Sequence, residues 1–130
     1  MKGVSVERNN KLYSQLDLWN KLNEKNTLQE VQQYIKDVIK IRVFSNQKIE
    51  KTMLLLLEEF GELAKSVRKN ATDIGIDNNK ANHYDTIESE VADVFIVLCS
   101  VCNKLDIYLY KALKDKEQEN INRIWKKENN

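Results

Sequence analysis

Five carboxylates carry the chemistry open to this sequence. Glu58, Glu59 and Glu62 lie in Leu54–Lys69, LLLLEEFGELAKSVRK, and Glu90 and Asp93 lie in Glu88–Asn103, ESEVADVFIVLCSVCN. Glu59 and Glu62 are three apart, as are Glu90 and Asp93. Residues at that spacing share a helix face, with Cβ atoms about 5–6 Å from each other. Both pairs stand among Leu, Phe, Val and Ile, where an ionised carboxylate is costly unless a positive charge meets it. Glu59, Glu62, Glu90 and Asp93 on two facing helices make a hard-oxygen cage that suits Mg²⁺, with Mn²⁺ as a substitute. The competing reading is a solvated amphipathic face, with Glu58, Glu59 and Glu62 meeting helical neighbours such as Lys65.

The elements that must position these groups are helical. The chain has 130 residues, no Pro and three Gly, and is rich in Leu, Lys and Glu. One all-α domain follows, with a four-helix-bundle-like core and an additional N-terminal helix. The net charge is +1, which gives no argument for a nucleic acid polymer or a membrane surface as partner. The apolar run Met53–Leu57 is far short of a membrane span, and the N-terminal residues lack the apolar core of a signal peptide. A cytoplasmic protein with reduced cysteines is therefore expected. Cys99-Ser-Val-Cys102 falls inside a helix and reads as small core residues. The single His83, placed in a loop, argues against a zinc site and against a ferritin-like di-iron site.

In chain order, residues 1–10 are polar and expected to fray, and 11–24 form a short helix through Leu12, Leu16 and Trp19. Residues 1–26 are thus an N-terminal segment, and 27–130 the main domain. Thr27-Leu28-Gln29-Glu30 is a capping box that starts a helix over 28–43. Ser45 or Asn46 can cap the next helix, 46–70, whose stripe is Ile49, Met53, Leu56, Leu57, Phe60, Leu63, Ala64 and Val67. Gly61 lies within it, and close approach of a backbone or ligand would explain its presence. Residues 71–84 carry loop chemistry and are long enough to be functional. Asp85 or Thr86 caps a helix to about Lys104, and Asp106 caps the last one.

The ordered pattern Glu58-Glu59-x-x-Glu62 followed by Glu90-x-x-Asp93 resembles the two signature helices of the MazG-like all-α nucleoside triphosphate pyrophosphohydrolases. Lys116-x-x-x-Asn120-x-x-Arg123 resembles that superfamily's downstream element, and 28–44 its leading helix, so the resemblance spans 28–125. It implies hydrolysis of a nucleoside triphosphate to the monophosphate and pyrophosphate with Mg²⁺, in nucleotide-pool house-cleaning. The matching positions imply that Glu59, Glu62, Glu90 and Asp93 hold metal. Glu58 acts as outer-shell group or base, and Lys116, Asn120 and Arg123 hold phosphates. The chemistry is coherent, since carboxylates alone repel a triphosphate and a hard cation reverses that. For the base, aromatic platforms are needed, and Tyr34 and Phe44 are the foremost candidates, with Tyr84 and Trp125 behind them.

Beside a plain structural bundle, which predicts no stabilisation by metal, two alternatives stay open. One is a phosphoribosyl-ATP pyrophosphohydrolase-like activity within the same superfamily. The other is a non-catalytic helical module that binds a nucleotide or partner through the acidic face. The apolar stripes on 28–43 and on the last helix point to a homo-oligomer, a dimer or a tetramer of two dimers.

Overall fold

The computed structural model describes residues 5–42, 44–71 and 86–126. Two short strands, β1 (Ser5–Arg8) and β2 (Lys11–Ser14), precede five helices: α1 (Gln15–Lys21), α2 (Leu28–Ile41), α3 (Ile49–Ala71), α4 (Ile87–Lys104) and α5 (Leu109–Ile121). The all-α expectation holds for the body of the chain. The N-terminal segment corrects it: residues 5–14 are an antiparallel hairpin, not a frayed end and the start of a helix. Arg8 pairs with Lys11, leaving Asn9-Asn10 as a two-residue turn. Both asparagines have positive φ, 49° and 61°, the conformation that matches strand twist in a tight hairpin.

Local capping sets the helix starts. Ser14 and Thr27 each accept from the backbone N–H three residues on. Asp17 and Glu30 reach back to the cap N–H at 2.9 and 2.8 Å, so both ends are closed capping boxes. Thr27→Ala is expected to cost about 1 kcal/mol, read as a drop in the midpoint of urea unfolding with the slope unchanged. Thr86 caps α4 through Ser89 N–H as expected. Helix α3 begins at Ile49, later than Ser45 or Asn46 would have set it. Asp106 is not the cap of α5 either. It sits at φ 54° in the α4–α5 corner, and the first amide of α5, Leu109 N–H, donates to Gln32 Oε1 at 2.7 Å.

Two apolar clusters hold the chain. Val6, Leu18, Val38 and Ile41 join the hairpin and α1 to α2, with Tyr13 and Tyr34 packed against them. Leu56, Val97 and Val101 join α3 to α4, with Ile49, Leu55, Val94 and Leu98 alongside. Helix α4 also packs on α2, which in turn carries α5. Two polar fasteners connect these layers. Buried Gln32 donates to Ile107 O at 2.9 Å and Asn103 Oδ1 at 3.3 Å, and Lys104 Nζ donates to Ser45 O and Gln47 O.

The expected stripe of α3 divides in two. Thr52, Leu56 and Ser66 are buried, and Glu59 and Leu63 half-buried, whereas Met53, Leu57, Phe60, Ala64 and Val67 are exposed. Gly61 lies on that outer side, and a Cβ there would meet nothing within 4 Å. Trp19 is likewise exposed, the buried residue of α1 being Leu18.

Candidate metal centre

The inner faces of α3 and α4 bring three acidic side chains together. One carboxylate oxygen from each of Glu59, Glu90 and Asp93 lies within 4.8 Å of the others. The cause is local: Glu59 continues the inward row Thr52, Leu56 and Leu63, while Glu90 and Asp93 occupy the first two turns of α4, capped by Thr86. Glu90 is buried, and Glu59 and Asp93 are half-buried. The carboxyl of Glu59 is pushed above its ordinary range. Loss of solvent is the main cause, followed by the negative charges of Asp93, Glu90, Glu58 and Glu62. Three oxygens converging at mutual repulsion are the donor set of a hard divalent cation, so the residues present fit such an ion.

Glu62 stands apart from this trio. Its carboxylate lies 3.6 Å from Lys65 Nζ, and both side chains are well solvated. Its charge still reaches Glu59, so it sits at the rim of the centre. Glu58 is exposed on the adjoining side. Helix α5 has no buried residue. Lys116 pairs with Glu119 at 2.8 Å, Asn120 O accepts the Trp125 indole N–H, and the Arg123 guanidinium lies 5.9 Å from the Trp125 ring. Lys116 and Arg123 thus interact locally through their side chains, and Asn120 through its backbone carbonyl. Trp125 itself is exposed.

The two foremost base candidates occupy different places. Phe44 lines an apolar cavity of about 150 Å³ with Ile39, Thr52, Leu55, Val97 and Ser100. Leu55 and Val97 each lie one helical turn from a carboxylate of the trio, on α3 and α4 respectively. Tyr34 instead packs with the hairpin cluster. His83, Tyr84 and Asp85 lie outside the described residues. Cys99 and Cys102 are buried free thiols, and burial pushes the Cys99 thiol up to about 12, which fits inert core residues. Sequence reasoning did not single out Lys104, Thr52 or Ser100 at this cavity. The signal of Thr52 and Ser100 was faint, small polar residues inside apolar stripes, and Lys104 reads from sequence only as a basic residue closing α4.

An all-α bundle with a carboxylate trio between its two central helices is able to hold a hard cation at that seam. Residues 47–129 match the MazG nucleotide pyrophosphohydrolase domain, and the chain belongs to that family. It is thus a pyrophosphohydrolase acting on nucleotides. The crystal structure of YPJD from Bacillus subtilis, a presumed pyrophosphatase, is similar to this chain: TM-score 0.58, 26% identity, covering 78% of this chain and 100% of that one. No functionally curated protein matches the chain. No helix among the described residues is long and apolar enough to cross a membrane.

Proposed function

We propose that the chain hydrolyses a nucleoside triphosphate to the monophosphate and pyrophosphate with Mg²⁺, as a cytoplasmic nucleotide-pool enzyme. The convergence of Glu59, Glu90 and Asp93 carries this reading. These three hold the cation, with Glu62 joining from the rim. A bound divalent ion neutralises the phosphate chain and polarises the α-phosphate. Glu58 stands beside the trio as the group that accepts the proton of the attacking water or orients a ligand from outside. The cavity at Phe44, a turn from the carboxylates, takes the base. Lys116 and Arg123 would neutralise charge on the phosphate chain, and Asn120 would donate a hydrogen bond to it.

The second element of the proposal is a homo-oligomer, a dimer or a tetramer of two dimers. Leu54 and Leu57 are each 68% exposed on α3, and Tyr110, Leu113 and Ile121 are exposed on α5. Apolar rows of this length on the two helices are what a second copy covers.

The test is pyrophosphate release from canonical and damaged NTPs and dNTPs, with phosphoribosyl-ATP in the same panel. Equimolar monophosphate and pyrophosphate, abolished by chelator, are expected. Because Glu59 holds its proton to higher pH than an ordinary carboxyl, metal affinity should climb as pH rises through that range, with proton release on binding. No turnover of any nucleotide, together with no Mg²⁺-dependent rise in melting temperature, would sink the proposal.

A further inference from the structure

A cleft of about 570 Å³ opens between the hairpin, α1 and the first half of α2. Its lining includes Arg8, Lys21, Asn26, Gln29, Gln33 and Tyr34, with none from α3 or α4. A second hollow of about 460 Å³ adjoins it, sharing Arg8, Leu18, Lys21 and Gln33 and adding Tyr13. The region precedes the residues matched by the family, 47–129. The reading of the carboxylate centre therefore assigns it no task.

Its charges are arranged for an anion. Lys21 Nζ stands 4.1 Å from the centre of the Tyr13 ring and has no carboxylate within 4 Å among the described residues. Lys11 approaches the same ring at 5.4 Å. The Lys21 ammonium beside Tyr13 holds its phenol below the usual range. Arg8 is held from behind by the buried Asp37, with Nε 3.1 Å from Oδ2, and Gln33 Nε2 fixes the other Asp37 oxygen at 3.0 Å. A guanidinium anchored through Nε keeps further N–H donors on its outer edge. The one carboxylate in the lining, Glu30, is turned back onto Thr27 N–H by the capping box. The Lys21 ammonium, the outer N–H donors of the Asp37-paired Arg8, neutral amide side chains and an aromatic flank, in a volume typical of small-molecule sites, describe a receptor for a phosphorylated ring compound.

We propose that this N-terminal cleft binds a nucleotide-sized phosphate ester, without metal and independently of the carboxylate centre. The experiment is calorimetric titration of the full chain with AMP in excess EDTA, beside Lys21→Ala and Glu59→Gln. Inorganic phosphate serves as the second probe. Saturable AMP binding is expected, weakened about tenfold or more in Lys21→Ala, unchanged in Glu59→Gln, and stronger than that of phosphate. Lys21 is exposed, so circular dichroism should show an intact fold, and pyrophosphate release should persist in that variant. Absence of saturable binding at millimolar AMP, or binding lost in Glu59→Gln but kept in Lys21→Ala, overturns the proposal. Either result leaves the test of pyrophosphate release untouched.

Discussion

Glu59→Gln and Asp93→Asn are expected to lower pyrophosphate release by a factor on the order of 10²–10³ or more, as removal of a charged group at a reacting phosphate does. Both should also lose the rise in melting temperature that Mg²⁺ gives the wild type. The informative part is stability without metal. Glu59 has a folded pKa raised above its unfolded value, chiefly by burial and then by Asp93 and Glu90. Its favourable contribution is therefore complete below the unfolded value of 4.5 and is lost as pH rises through the folded one. In EDTA at neutral pH, Glu59→Gln should melt higher than the wild type, and the gap should close on acidification toward 4.5. Melting curves across that range, with and without Mg²⁺, decide it. A variant that is inactive and also less stable in EDTA would mean that Glu59 supports the fold, not a cation.

Gln32→Leu should be the most damaging single change away from the acidic centre. The Gln32 side chain is buried and serves Ile107 O, Asn103 Oδ1 and Leu109 N–H. Its own carbonyl accepts from Asn103 Nδ2 at 3.1 Å, so the α4–α5 corner is bound to α2 from both sides. Leucine fills the space but leaves the Leu109 amide and Ile107 carbonyl without partners, at about 1–3 kcal/mol for each group left buried. A loss of roughly 3 kcal/mol in urea unfolding is expected. Faster amide exchange should be confined to the start of α5. A uniform loss of protection across α2, α3 and α4 would show that the corner is not a separate fastener.

The parts of this molecule legible in the sequence were those where one physical requirement dominates. Carboxylates set in apolar rows are costly unless a positive charge meets them, and Glu59, Glu90 and Asp93 do lie together. Thr27 and Glu30 mark the start of α2, and their capping box forms. Glu62 was harder to place. Three residues of α-helix leave a side chain about 60° round from its partner, enough to put Glu62 at the rim beside Lys65. The orientation of α3 was hidden for another reason: both its faces are apolar, so periodicity cannot say which turns inward. The inner one proves to carry Thr52 and Ser66, and the outer one Leu54 and Leu57. The hairpin was missed because Leu12, Leu16 and Trp19 imitate a helical row. The contrary signal was Asn9-Asn10, a pair that accepts the left-handed backbone of a two-residue turn. Asp106 looked like a cap, yet its place in the α4–α5 corner follows from a contact with α2 that no local pattern encodes.

Helix α4 holds two of the three clustered carboxylates, and the same eighteen residues include the buried Val97, Cys99, Val101 and Cys102. The carboxylate cluster and mechanical integrity are thus written into one segment. A descendant of this protein cannot retune its chemistry by shifting α4 without loosening its own interior. Change in substrate choice must come from parts that tolerate drift: the connection bearing Phe44, the outward rows of α3 and α5, and the hairpin. The α3–α4 seam is thus the constrained part of this molecule, and its periphery the part free to vary.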